Sequence, residues 1–377
     1  MANLSCKILN KKFLNPIWLG SGTITDRKLR VDKFLHSRAG VVIPRTTRVE
    51  YSTNGKNHPS YHLHFNLKEG FIRNCEWTGR LINYWKPYLK ELSKTGKVIM
   101  SVSGRDIKDC LKACEIIDKF KFPLIEINIS CAHSNEINGF IVRDSEHIFS
   151  LIKTIKEKIK TPIAIKLGHS DSIVELAKIA ESAGADAIVA INTYGPVIDF
   201  DIEKGVPKLI LGISNGAGGL SGRPIFHIAL TDIVHLSQNL KIPIIACGGI
   251  MNPQDAVKMI MAGANAVELY SAVHIAGDKG QVFLDKFIKE FSLLMDQYGY
   301  KNLDSMRGIL LPKLTRTHQM KKKVPQIDRE KCNKCGLCKN ICLEGAIKLL
   351  NNKIIINNKK CIGCGACVSV CPVKALK

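Results

Sequence analysis

Eight cysteines near one end of the chain have the spacing of thiolate ligands. Cys332, Cys335, Cys338 and Cys342 form one C-x2-C-x2-C-x3-C run, and Cys361, Cys364, Cys367 and Cys371 form a second. Three thiolates two residues apart can wrap one face of an iron–sulfur cube, while the fourth reaches across to the other cube. That rule assigns Cys332, Cys335, Cys338 and Cys371 to one [4Fe-4S] cluster. It assigns Cys361, Cys364, Cys367 and Cys342 to the other. Zinc usually takes four ligands in two C-x2-C pairs, and two tandem four-Cys runs with glycines between the ligands do not suit it. Between the runs, residues 346–356 read as a hairpin with an Asn351-Asn352 turn.

A second group of reactive side chains lies at the ends of apolar, β-branched runs. Asn128, Ser130 and Cys131 end one run, Lys166 lies in the next, and Asn192-Thr193 end a third. Cys247-Gly248-Gly249 and Ser271 end two more. A row of amides at strand ends is costly unless it meets a polar ligand.

The same ends carry a distributed phosphate signal. The stretch 215–222 (NGAGGLSG) reads as a flexible loop before a helix. With Gly248, Gly249 and Ser271 it offers backbone N–H groups free of obstructing Cβ atoms. Iron–sulfur cubes pass single electrons, whereas organic substrates usually exchange two. FMN bridges the two regimes and carries one phosphate.

The elements that must position these groups number eight. Candidate strands cover 16–22, 41–47, 98–104, 124–130, 163–168, 187–193, 242–249 and 266–272, with amphipathic stretches such as 172–183 and 252–262 between them. Eight apolar strands alternating with helices predict an α/β fold, a (β/α)8 TIM barrel, with active-site groups at the C-terminal strand ends. The two-cluster module follows as a C-terminal ferredoxin-like domain. The expected boundaries are 1–312 for the barrel, 313–326 for a polar linker and 327–377 for the module.

Asn15-Pro16, Gly20-Ser21-Gly22, the run 128–131 (NISC), Lys166-Leu167, Asn192-Thr193, the run 218–222 (GGLSG) and Gly248-Gly249-Ile250 together resemble the dihydroorotate and dihydropyrimidine dehydrogenase family over about residues 1–310. The C-terminal module resembles bacterial two-cluster ferredoxins throughout, except that Leu343 replaces the usual Pro. With that tail the chain looks most like the NAD-dependent dihydropyrimidine dehydrogenase branch, whose catalytic subunits pair with an NADH-handling flavoprotein.

The resemblance implies roles. Cys131 is the general acid/base, exchanging a proton at C5 of a pyrimidine ring while hydride moves between C6 and the flavin. Asn74, Asn128, Asn192 and Thr193 match substrate-binding positions. Ser21, Arg45, Thr46, Lys166, Gly219, Ser221, Gly248, Gly249 and Ser271 match cofactor-binding positions, Lys166 beside the edge of the ring that gains charge on reduction. Three departures surround the expected substrate. Arg45 stands where the family has Lys, Ala132 where it has Pro, and Trp77 and Arg80 occupy the 74–83 loop. Residues 132–144 are expected to form a lid. The leading expectation is interconversion of a 5,6-dihydropyrimidine and its pyrimidine, with dihydroorotate or another activated C=C compound as alternatives.

Composition narrows the setting. The 377 residues are 45% hydrophobic and 23% charged, which excludes a mainly disordered, collagenous or coiled-coil chain. No apolar run reaches membrane-spanning length, and the first twenty residues lack an export signal, so a cytoplasmic protein is expected. The net charge is +22, yet no basic helix interleaved with aromatics points to nucleic acid. An electron-transfer partner and a homodimer are the expected associations. No G-x-G-x-x-G dinucleotide fingerprint follows any strand, so NAD belongs to that partner.

Overall fold

The computed structural model describes residues 2–49, 62–67, 69–75, 80–130, 145–209, 217–314 and 322–377, with backbone alone for 62–67 and 73–75. The chain divides into two compact units, Met1–Leu314 and Thr315–Lys377.

The first unit is built on eight parallel strands: β1 (Ile17–Leu19), β2 (Val41–Val42), β3 (Met100–Val102), β4 (Ile125–Asn128), β5 (Ile163–Leu167), β6 (Ala187–Ala190), β7 (Ile244–Cys247) and β8 (Ala266–Leu269). Their order in the sheet is β2-β1-β8-β7-β6-β5-β4-β3. Bridges from Val42 to Val98 and from Thr47 to Val102 join the two edges, and the (β/α)8 barrel closes. The ordered strands are shorter than the apolar runs that encode them. β2 ends at Val42, and Thr47 rejoins the sheet only through backbone bonds with Ser101 and Ser103.

The helices follow from capping and apolar spacing. Asp106 caps helix Ile107–Asp118 by accepting from the Asp109 N–H at 2.7 Å. Asn252 and Asp255 form a reciprocal capping box before helix Pro253–Met261. Helix Ile173–Ser182 buries Ile173, Leu176, Ala177 and Ala180, a stripe at i, i+3, i+4 and i+7.

One expectation is corrected. The 215–222 stretch was expected to be a flexible loop, but Gly218–Gly222 is a strand in a four-stranded antiparallel sheet with Tyr194–Val197, Gly70–Cys75 and His62–Leu67. Its glycines permit close backbone approach: a Cβ on Gly222 would lie 2.3 Å from the Glu69 carbonyl oxygen.

The second unit has a small core of Cys338, Ile347, Ile354, Cys367 and Leu376. Its hairpin pairs Ile347–Leu350 with Lys353–Ile356. Asn351 and Asn352 both adopt positive φ, as a two-residue hairpin turn requires. Among the described residues no helix is long and apolar enough to cross a membrane.

Candidate active site

The polar strand-end residues meet above the barrel core. Asn128 and Lys166 are register partners on β4 and β5. The Asn128 amide donates to Thr46 Oγ1 at 3.2 Å. Its carbonyl oxygen accepts from Ser130 Oγ at 3.0 Å and from the Asn192 amide at 3.3 Å. Asn192 also donates to Ser130 Oγ at 3.1 Å, and its Oδ1 accepts from the Thr193 N–H. The two amides therefore hold each other in place across β4 and the β6 end.

Beneath them lies a line of hydroxyls. Ser21 Oγ accepts from the Thr46 N–H at 2.8 Å and pairs with Thr46 Oγ1 at 3.2 Å. Thr46 Oγ1 meets Ser101 Oγ at 2.9 Å, and Ser101 donates to Glu126 Oε1 at 2.6 Å. The line ends on a buried ionic triad. Lys166 Nζ lies 3.1 Å from Glu126 Oε2 and 2.6 Å from Glu268 Oε2. β5 and β8 are separated in the sheet by β6 and β7, so the Lys166–Glu268 contact crosses the barrel interior.

Burial disfavours the Lys166 ammonium, but the neighbouring Glu126 and Glu268 charges outweigh it and hold its pKa well above the usual value. Burial pushes Glu268 up to about 8; Lys166 opposes this, and Glu126 adds to it. Cys247, the register partner of Glu268 on β7, is pushed up to about 12 by burial and stays a thiol near neutral pH.

A cavity of about 700 Å³ opens over this floor. Lys166, Glu268 and Cys247 line it at one part, and Ser21, Asn192, Thr193 and Ser221 at another. Gly248, Gly249 and Ser271 form a further wall, with the Phe71 and His274 rings beside it, 5.1 Å apart and tilted by 36°. Gly248 and Gly249 take φ of 115° and 71°, in the positive region that favours glycine. A glycine-lined corner and a lysine at the floor of one cavity fit a phosphorylated, planar cofactor such as FMN. A cation at the floor stabilises charge gained on reduction.

Most of the expected site residues thus converge. Gly219 stands beside Thr193, a Cβ there lying 2.6 Å from Thr193 Oγ1. Arg45 is buried behind β2, its N–H bonded to the Thr25 carbonyl, and is not part of the cavity wall. Asn74 pairs in backbone register with Leu63. Its side chain, Cys131, Trp77 and the expected lid 132–144 lie outside the described residues. Glu126 and Glu268 escaped the sequence reading. Their signal was a carboxylate inside each of two apolar strands, 125–128 (IEIN) and 266–269 (AVEL).

In the second unit two cavities separate the eight thiols. One is lined by Cys332, Cys335, Cys338 and Cys371, the other by Cys342, Cys361, Cys364 and Cys367. These are the crossed sets that the ligand rule assigns. The backbone N–H of Ala375 donates to Cys371 Sγ at 3.2 Å.

Comparison with known proteins agrees with this layout. Residues 3–295 match the family described as dihydroorotate dehydrogenase. Residues 324–347 and 354–377 each match a 4Fe-4S binding domain. The chain is similar to proteins named dihydroorotate dehydrogenase B (NAD(+)), catalytic subunit. That of Thermococcus kodakarensis is 30% identical over 318 residues, covering 82% of this chain and 99% of the relative. That of Methanothermobacter thermautotrophicus is 28% identical over 308 residues, covering 81% and 98%. That of Bacteroides fragilis is 27% identical over 317 residues, covering 82% and 99%.

Proposed function

Because this oxidoreductase belongs to the dihydroorotate dehydrogenase family, whose members bind FMN, and carries two [4Fe-4S] clusters, we propose that it interconverts dihydroorotate and orotate. Its electrons leave through the C-terminal clusters to an NAD-linked partner subunit. The carrying observation is the near end-to-end match with relatives that bear that activity in their names. This replaces dihydropyrimidine as the leading substrate.

When bound, FMN would supply a two-electron acceptor for hydride that can also release electrons singly, and Lys166, Gly248, Gly249 and Ser271 would hold it. The chain does the rest. Cys131 takes the C5 proton as the C5–C6 single bond becomes double. Asn128 and Asn192, held by their mutual hydrogen bond, present amides that both donate and accept, which suits the alternating C=O and N–H edge of the ring. Lys166 stays charged at the cavity floor and holds Glu126 and Glu268 in place.

A 5,6-dihydropyrimidine without the carboxylate is the second reading. The observation in its favour is the fused two-cluster module, which lies beyond the family match ending at residue 295. Anaerobic titration of the flavin spectrum separates the two. Bleaching by dihydroorotate but not by dihydrouracil or dihydrothymine is expected. The reverse pattern overturns the dihydroorotate assignment.

A further inference from the structure

The buried triad has one charge too many. Lys166, Glu126 and Glu268 are all 3% exposed or less, and two carboxylates against one ammonium would leave a net negative charge in the barrel interior. An unbalanced buried charge is expensive, and a proton removes the imbalance. The two carboxyls differ in their partners. Glu126 uses both oxygens, Oε1 accepting from Ser101 and Oε2 from Lys166. Glu268 Oε2 accepts from Lys166, whereas its Oε1 is buried without any hydrogen-bond partner. Glu268 lines the flavin cavity. Gly20, also on the wall, leaves room for it: a Cβ there would sit 3.2 Å from Glu268 Oε2.

We propose that Glu268 carries a proton at neutral pH, so that the buried floor beside bound FMN is neutral. Ionised, it adds a negative charge beside the cofactor. The groups that bear on it are few. Lys166 faces it from β5, Glu126 from β4 and Cys247 from β7. β1 places Trp18 in register with Glu268, Gly20 follows that strand on the cavity wall, and His274 lines the same cavity from helix Ser271–Ile275. Cys247 stays protonated and Lys166 stays charged through the neutral range. Glu268 is therefore the group of this floor that changes charge there, and FMN should be held more weakly once it ionises.

The inference concerns the cofactor and does not depend on the substrate. The test is FMN release from the full-length holoprotein, read as recovered flavin fluorescence from about pH 6.5 to about pH 9.5. For the wild type the FMN Kd should rise about tenfold over that range, and for Glu268→Gln, which keeps a donor but cannot titrate, by less than about twofold. Equal pH profiles for the two proteins overturn the proposal. Should Glu268→Gln fail to hold FMN, the wild type decides through its infrared spectrum. A protonated-carboxyl stretch that disappears over the same pH range as the loss of FMN affinity supports the proposal. No such stretch at neutral pH overturns it.

Discussion

A Cβ on Gly219 would lie 2.6 Å from Oγ1 of Thr193. The antiparallel sheet is thus pressed against the end of β6 at the point where Thr193 enters the cavity wall. No side chain fits between them, so the glycine is a packing requirement and not a hinge. Gly219→Ala should push Thr193 off its place, cost about 1–3 kcal/mol of stability by overpacking and raise the substrate KM at least several-fold. A melt and a steady-state titration check it; wild-type KM would separate Thr193 from substrate binding.

Lys166 neutralises buried charge, so its loss should be felt through pH. Lys166→Met leaves Glu126 and Glu268 facing each other without a cation. Breaking a buried pair this way costs about 3–5 kcal/mol. Protonating the carboxyls relieves the repulsion, so the deficit against wild type should shrink as pH falls. Urea unfolding at a mildly acidic and a mildly basic pH measures it. A deficit that does not vary with pH would mean lost packing, not lost charge.

The crossed cysteine sets predict which double variants are redundant. Cys332→Ala with Cys371→Ala strikes one cavity twice, whereas Cys361→Ala with Cys371→Ala strikes both. The first pair should retain about half the iron of the wild type, and the second should retain little. Iron quantification on anaerobically purified protein reads the difference. The reverse order would mean that each run serves its own cluster.

Cys131→Ser tests the acid/base role. A serine hydroxyl is a far weaker acid than a thiol, and a positioned proton-transfer group contributes about 10²–10⁴-fold. The variant should bind flavin normally and reduce it at least about a hundredfold more slowly with substrate. Stopped-flow bleaching measures this, and an unchanged rate would remove Cys131 from the proton transfer.

What was legible in the sequence was local. The eight cysteines announce two clusters because their ligand spacing is a property of a short run. The barrel was legible because eight apolar strands recur between helical stripes, and the Asn351-Asn352 turn because its conformation is written in two residues. The misreading at 218–222 and the silence about Glu126 and Glu268 share one cause. Gly218–Gly222 becomes a strand because Tyr194–Val197 pairs with it on one side and Gly70–Cys75, some 150 residues earlier, on the other. Glu126 and Glu268 become a site only when closure of the barrel carries Lys166 across to them. Neither partnership leaves a trace in neighbouring residues, although a carboxylate inside an apolar strand marks a place where some partner must exist.

The proton on Glu268 should also be visible in folding stability. Its carboxyl is raised from 4.5 to about 8 in the native protein. Between those values the native state binds a proton that the unfolded chain has released, so stability is greatest at the acid end and falls as pH rises. Above about 8 both states have lost the proton and the slope disappears. Lys166 does not blur the window, because its pKa is raised and its contribution stays intact until the pH nears its ordinary value of 10.5. Relative to Glu268→Gln, wild-type stability should therefore decline by on the order of 1 kcal/mol per pH unit across the window. Chemical unfolding of both proteins in matched buffers measures that difference. Parallel curves would show that Glu268 is ionised in the folded protein and that Lys166 alone balances both carboxylates.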